Sequence, residues 1–323
     1  MSAEDHRALR ATLRQQGCFK RRPVLALLAV PANVLGAFAL FYAASQLGLW
    51  GAPLFLAGSV VYFRLAWLMH EGAHGAIFGV PRADRTYSLF VCAFLGGFPA
   101  GWSHGHNRHH AAPNVRGIDG DQSERWNPAS RNLGPTQAAG RIFLVRRVAG
   151  VMLPRSVLML WLRDALYAKR HVPQRFPADL AAGITAQALQ ITAFVWLFGP
   201  WWALPLYAVH THIGLVYLNA IFVGNHYDLA SFDAGEHRDI DHAHLQVITA
   251  RNYPPTPWIR WLCGGLEYQI EHHLFPDLPR HGLPKAAPHV RAWCEARGLP
   301  YEELGLVASW RRAIAFHGVA EEG

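Results

Sequence analysis

Charged residues are scarce in this chain. They make up 16% of its 323 residues, against about 25% in soluble globular proteins. Hydrophobic residues account for 51%, which excludes a disordered chain and argues against a surface that is solvated all round. The four cysteines lack a CxxC spacing, so neither a thiolate zinc site nor a disulfide framework is expected. No basic stripe interleaved with aromatic residues is present, so no nucleic-acid partner is expected.

Long hydrophobic runs are present, and four of them can cross a membrane. A hydrocarbon core about 30 Å thick needs about 20 apolar residues in a helix. We predict spans over residues 24–50, 53–70, 180–198 and 204–224. Short turns containing glycine and proline join the first span to the second and the third to the fourth. The sequence therefore predicts an all-α integral membrane protein with two transmembrane hairpins.

Lysine and arginine predict the orientation of these spans, because positive residues in short loops stay cytoplasmic. Apart from Arg64 inside the second span, every basic residue lies before the first span, between the second and third, or after the fourth. Both termini are therefore predicted to be cytoplasmic, with a helical cap formed by residues 71–179 and 225–323. We expect the interrupted apolar segment 87–102 to be interfacial or re-entrant, and we expect helices on the cytoplasmic surface over 142–166.

Histidine is unusually abundant, with 19 residues against four methionines. HEGAH ends the second span and places two histidines on one helix face at i, i+4 spacing. HNRHH and QIEHH lie in the predicted cap, and a further histidine closes the fourth span. The candidate metal ligands are His70, His74, His106, His109, His110, His226, His272 and His273. Because all four groups reach one side of the membrane, they indicate a shared metal site.

Eight imidazoles are too many for one tetrahedral zinc ion, which takes about four ligands. They suit two five- or six-coordinate ions of a metal that accepts imidazole nitrogen, with positions left open. Ligand rings also need hydrogen-bond acceptors to orient them. The nearby carboxylates are Glu71, Asp119, Asp121, Asp233, Asp241 and Glu271. Glu71 and His74 also form the ExxH unit of carboxylate di-iron bundles, but no second such unit faces it.

The three motifs resemble the histidine boxes of the membrane fatty acid desaturase family, HxxxH, HxxHH and QxxHH. The likeness continues in HHAAPNVRGIDGD after the second box and in GGLEYQIEHHLFPDLPRH around the third, and it covers about residues 53–301. It implies that the eight histidines hold two irons at the cytoplasmic face. It also implies a single membrane domain over residues 1–323 that uses dioxygen to introduce a double bond into a fatty acyl chain.

Two departures from the family pattern matter. Gln269 stands where many members have a histidine, which resembles the front-end acyl desaturases, and it is a candidate catalytic residue together with Glu71 and Glu271. Members of that subgroup often carry a fused haem carrier with an HPGG signature, and this sequence has no HPGG. The resemblance therefore implies electrons from a separate ferredoxin or cytochrome-type protein. A formal net charge of +8 would suit an acidic carrier.

Other functions remain open at this point. Hydroxylases, acetylenases and ketolases share the histidine scaffold, and a non-catalytic metal-binding membrane protein or transporter could also be rich in histidine. A transporter predicts polar residues along the spans, whereas these histidines gather at one face. His104 has no clear counterpart in the boxes. His210 and His212 lie about 24 Å and 21 Å from His226 along a straight helix, so we expect structural or substrate-tunnel roles for them.

Overall fold

A computed structural model describes residues 3–119, residue 121 and residues 154–316. These residues form helices, turns and two isolated bridges, and the described chain contains no sheet. The all-α class is confirmed. The chain divides into two compact units: the span unit, Arg21–His104 and Ala149–Asn219, and the histidine-rich unit, Met1–Lys20, Gly105–Val148 and Ala220–Gly323. The single domain over residues 1–323 stays a prediction.

The described residues form fourteen helices. They are α1 (Ala3–Gln15), α2 (Pro23–Gln46), α3 (Ala52–Phe63), α4 (Leu65–Ala73), α5 (Pro81–Leu95), α6 (Pro99–Ala111), α7 (Pro154–His171), α8 (Phe176–Phe198), α9 (Pro200–His226), α10 (His242–Ile248), α11 (Pro257–Cys263), α12 (Gln269–Leu274), α13 (Leu283–Glu295) and α14 (Leu306–Phe316). Short 3-10 turns lie at Gly48–Gly51, Glu236–Asp239 and Leu266–Tyr268. Helices α6 and α9 have residues in both units.

Four helical stretches of the described chain are long and apolar enough to cross a membrane: Pro23–Gln46, Gly48–Ala73, Phe176–Phe198 and Pro200–His226. They overlap the four predicted spans, and the third and fourth start four residues earlier than predicted. Both begin with a proline in the first turn, where the missing N–H is not needed by the helix. Only 28% of the residues in the 18-residue apolar stretch of α2 are buried. Most of the surface of this helix is therefore left for lipid.

Within the span unit, α2 and α3 pack closely as the predicted hairpin. A Cβ on Gly51 would lie 2.3 Å from the carbonyl oxygen of Ala44, so the turn needs a glycine here. Exposed tryptophans flank both hairpin tips, at Trp50, Trp201 and Trp202. Amphipathic indole rings are enriched at membrane–water interfaces, so their position agrees with tips that reach the bilayer surface.

The apolar segment 87–102 is not one helix. Helix α5 ends at Leu95 and α6 begins at Pro99, with Gly96 between them at φ 77°. Within the span unit, α5 packs against α4 and α8. The break agrees with the expectation that no fifth span crosses here, and the depth of this segment in the membrane stays a prediction. Of the predicted surface helices over 142–166, α7 begins at Pro154, and the residues before it lie outside the described residues.

Arg64 interrupts the second span between α3 and α4, and its charge has a polar partner. Its Nη1 donates to Oδ1 of Asn33 on α2 at 3.2 Å. A charged side chain inside a membrane is costly unless polar groups surround it, so this pairing explains why a span tolerates arginine.

The histidine-rich unit has its own apolar core. Leu9 and Leu13 of α1 are buried with Ile270 inside the third histidine box, with Phe275 just after it and with Val290 of α13. This packing places α1 directly against the short helix α12. As a result, the third box lies inside the core of its unit.

Candidate metal centre

The second histidine box lies on α6, so its i, i+3, i+4 spacing does place three imidazoles on one helix face. His109 Nδ1 donates to the fully buried carboxylate of Asp119 at 2.9 Å. The same carboxylate accepts the backbone N–H groups of Asn114 and Asp121 at 2.9 Å and 2.8 Å. His106 Nδ1 donates to Asp121. Two of the candidate carboxylates thus orient two of the candidate ligands.

Three histidines from different elements converge in the histidine-rich unit: His109 on α6, His226 at the end of α9 and His273 on α12. Their nearest ring nitrogens lie within 4.8 Å of one another, and Nε2 of His109 is 3.3 Å from Nε2 of His273. Each ring is at most 1% exposed. We call this group the histidine trio.

Each ring of the trio is held through Nδ1. His226 donates to the carbonyl of Thr249 and His273 to Oε1 of Gln246, both at 2.8 Å. The Gln246 amide can only face this way, because its Nε2 donates to the carbonyl of His110. Carbonyl and carboxylate oxygens only accept hydrogen bonds, so the ring protons lie on Nδ1 and the Nε2 lone pairs point inward.

This arrangement fits a metal ion. Two unprotonated nitrogens 3.3 Å apart repel each other unless a cation lies between them, and neutral imidazole is a ligand for iron, copper, nickel and zinc. Burial lowers the pKa of His109, but the charges of Asp119 and Asp121 raise it, and the net pKa lies above its usual value. The carboxylates therefore favour positive charge at this centre.

A second convergence lies in the same unit. Nitrogens of His106, His110 and His272 lie within 4.8 Å of one another, with Nε2 of His106 and His110 at 3.2 Å. All three side chains are buried. The second and third boxes therefore supply donors to this group as well as to the trio.

The first box lies in the span unit, at the end of α4. His70 is buried, His74 is half-buried, and their ring centroids are 4.7 Å apart. The loop that follows is fixed by Asp84, whose carboxylate accepts the backbone N–H groups of Ile77, Phe78 and Val80 at 2.9–3.1 Å. Glu71, which lies between the two histidines in the sequence, is half-buried. Its catalytic role stays a prediction.

The two other polar residues of the third box, Gln269 and Glu271, have partners that the sequence did not predict. Gln269 is buried, and its Nε2 lies 2.8 Å from Nε2 of His226. Glu271 is fully buried and turned toward Tyr301 and Asn252, which donate to its carboxylate at 2.7 Å and 2.8 Å. Burial raises the pKa of Glu271, while these hydrogen bonds oppose the rise. Glu271 therefore ties the third box to Tyr301 and Asn252, and neither of these donors is a ligand ring.

The remaining sequence candidates have structural partners. Asp233 pairs with Arg116 at 3.2 Å, and Asp241 accepts the first N–H groups of α10 as its N-cap. His210 is buried and its Nδ1 lies 3.0 Å from the Ser59 hydroxyl, which agrees with a structural role. His6 of α1 is half-buried and stacks on Phe275 of the core.

Gln246 and Thr249 are site residues that sequence reasoning missed. Both lie in the stretch LQVIT, between the fourth span and the third box and outside every histidine box. Thr249 acts through its backbone carbonyl, which leaves no trace in residue type. Only the fold shows their role.

Comparison with known proteins gives a consistent picture. A family model described as fatty acid desaturase matches residues 56–305. The chain is 30% identical over 307 residues to the Delta(5) fatty acid desaturase fat-4 of Caenorhabditis elegans, covering 91% of this chain and 68% of the relative. It is also 30% identical to the Delta(6)-fatty-acid desaturase fat-3 of that organism, covering 75% of this chain and 58% of the relative. Fatty acid desaturase 3 of Bos taurus is 27% identical, covering 93% of this chain and 69% of the relative.

Proposed function

Since the chain belongs to the fatty acid desaturase family, we propose that it is an integral membrane enzyme that uses iron and dioxygen to introduce a double bond into a fatty acyl chain. The observation that carries this proposal is the histidine trio, whose Nε2 lone pairs converge in a buried centre. In the reaction, the acyl chain loses two adjacent hydrogens. With two electrons and two protons from outside, dioxygen is reduced to two waters.

The seven box histidines together with His226 are the proposed ligands of two irons. Bound iron would supply dioxygen activation and hydrogen abstraction, chemistry that belongs to the cofactor. The protein's part is to hold the rings. Asp119, the Thr249 carbonyl and Gln246 fix the three Nδ1–H groups of the trio. Neutral ligands leave the centre positive, and its open positions are the proposed entry for dioxygen.

We place the new double bond toward the carboxyl end of the acyl chain. Two supports are the glutamine in the third box and the Delta(5) and Delta(6) names of two relatives. Gln269 is the proposed catalytic residue at the open side of the centre, because its amide contacts Nε2 of His226. Because the ring proton of His226 lies on Nδ1, the amide Nε2 of Gln269 is the donor in this contact.

The proposed electron donor is a separate ferredoxin or cytochrome-type protein with an acidic surface. In the histidine-rich unit, α1 packs on α13, and Arg7, Arg14 and Lys285 are exposed on these two helices. His6 of α1 lies 3.1 Å from the carbonyl oxygen of Leu274, the residue after the third box. An acidic donor on this face would come close to His273 without entering the centre.

The test of this function is metal content joined to oxygen consumption. The purified chain should hold two irons and consume dioxygen when a reduced donor and an acyl substrate are added. His109→Ala and His273→Ala should lose iron and all activity without unfolding the spans. His171→Ala, which changes an exposed histidine of α7, should lose neither.

Two results would contradict the proposal in different ways. If the chain binds iron but consumes no dioxygen with any of the acyl substrates, it is a metal-binding protein that does not use dioxygen. Full activity in His109→Ala would remove that residue from the metal centre.

A further inference from the structure

The last carbonyl groups of α9 accept hydrogen bonds from residues outside the helix. The last carbonyl groups of a helix have no partner within it, yet here three successive carbonyls are each bound by a donor from elsewhere in the unit. Nη1 of Arg251 donates to Gly224 at 3.3 Å, and the backbone N–H of Arg251 donates to Asn225 at 3.0 Å. The Nδ2 of Asn114 donates to His226 at 3.0 Å. The last of these carbonyls belongs to a ligand of the histidine trio.

Arg251 is fully buried, and its charge is balanced by carboxylates. It binds Asp228 through two hydrogen bonds, at 3.1 Å and 2.8 Å, and its Nε lies 3.1 Å from Glu302. A buried guanidinium is tolerated only when it is paired and hydrogen-bonded in this way. A cation beside the carbonyl end of a helix is also favoured by the helix dipole. The fold therefore holds a costly charge at the point where α9 ends.

Backbone strain gathers at the same point. Asn114 at φ 56° and Asp228 at φ 66° are the non-glycine residues with positive φ in the described chain. Asparagine and aspartate tolerate this conformation better than other side chains. Asn114 also donates to the carbonyl of Ala230 at 3.0 Å. Strained residues persist where surrounding contacts determine them, often around functional sites.

We propose that Arg251, Asp228 and Asn114 are positioning residues that fix the end of α9 and so keep Nε2 of His226 in the metal centre. His226 is the trio ligand that no histidine box contains. The carbonyl of Thr249 holds its ring, and Arg251, two residues later, binds the carbonyls of Gly224 and Asn225 directly before it. One segment thus sets both the position and the rotation of the imidazole. The inference rests on the proposed function in taking the bound metal to be iron.

The decisive variant is Arg251→Met, with Arg312→Met as its control. Arg312 contacts the same two carboxylates, Asp228 and Glu302, but its side chain is 52% exposed. Among the described residues, its guanidinium bonds to these carboxylates and to no carbonyl of α9. Iron per chain and the Mössbauer spectrum are measured on the purified full-length proteins. Arg251→Met should lose one of two irons while Arg312→Met keeps both, which a general loss of stability would not produce.

A second variant covers the case in which Arg251→Met does not fold. Asn114→Gly keeps the positive φ and removes the amide that binds the carbonyls of His226 and Ala230. Removal of a group that orients a ligand typically costs 10–100-fold in metal affinity, so this variant should release iron to a chelator about 10–100 times faster than the unchanged chain. Release at the unchanged rate in Asn114→Gly, or two irons with an unchanged spectrum in Arg251→Met, would overturn the proposal.

These readouts separate the positioning role from the proposed function. If the unchanged chain holds two irons and the variants lose iron as expected, the positioning role stands even when no acyl product forms. If the unchanged chain forms the acyl product and both variants retain iron normally, the proposed function stands and the positioning role is wrong.

Discussion

Gln269 is the residue whose substitution gives the most information about the centre, because it contacts a ligand without being an imidazole. An amide can bind a metal weakly through oxygen or hydrogen-bond to a metal-bound water, whereas imidazole binds through nitrogen. Gln269→Ala should therefore keep substantial iron and lose most activity. Gln269→His should keep iron with altered activity, because the ring can fill a position meant for water or dioxygen. Iron stoichiometry and turnover of both variants test this, and normal turnover in Gln269→Ala would exclude the role.

Glu267 gives the turn before the third box a pH-dependent stability. Its side chain is 3% exposed, and burial raises its pKa from 4.5 to about 7, against the N–H of Gly265 and nearby arginines. The folded chain holds this proton more tightly than the unfolded chain. The stabilisation that protonated Glu267 gives to the folded chain is therefore complete below about pH 4.5 and is lost as the pH rises through about 7.

Glu267→Gln stays neutral and should not show this loss. Thermal unfolding in detergent should show that the free energy of unfolding of the variant rises relative to that of the unchanged protein between about pH 5 and about pH 8. At about 1.4 kcal/mol per pKa unit, the gain is at most about 3 kcal/mol. The same difference between the two proteins at both pH values would show that Glu267 is not the titrating group.

At the residue scale, sequence reasoning finds what residue type and spacing encode. The histidine ligands were predictable because groups of histidines have few roles other than metal binding. Asp119 and Asp121 were candidates because they follow the second box closely. Gln246 and Asn252 were not, since amide side chains are common and their partners lie 27 and 19 residues away in the third box.

At the scale of elements, the first hairpin depends on close approach of α2 and its turn. Gly51→Ala should destabilise it, because the added Cβ would lie 2.3 Å from a backbone oxygen of Ala44 that cannot move aside cheaply. Overpacking of this kind costs about 1–3 kcal/mol. Gly36→Ala is the matched control, since its Cβ would meet Val61 at an ordinary 3.7 Å. Equal unfolding midpoints for the two variants in detergent would contradict this packing.

The spans were the most predictable elements, because about 20 apolar residues in succession have few alternatives. The two helices that carry the second and third boxes were harder to define. Helix α12 has only six residues, less than two turns, so no apolar period can reveal it. The break between α5 and α6 was signalled by glycine and proline, but those residues do not say whether the chain then turns inward or along the membrane.

At the scale of the whole molecule, the distribution of basic residues predicts topology. Reporter fusions at Gly51 and Gly199 should report the far side of the membrane, and fusions at Gly117 and the C-terminus should report the cytoplasm. The reason is that the positive residues flank the hairpins and neither tip carries one, and positive residues in short loops stay cytoplasmic. A far-side result at Gly117 would mean that segment 87–102 crosses the membrane, which would separate the second box from the first.

The measurement that tests the central claim most directly is the mass of the acyl product. The chain would be supplied with iron, a reduced electron donor and a range of acyl substrates, with and without dioxygen. We predict a product lighter than its substrate by two hydrogens, formed only with dioxygen and missing in His273→Ala. A product heavier by one oxygen atom would indicate a hydroxylase, and no dioxygen-dependent product from the iron-loaded chain would contradict the proposed function.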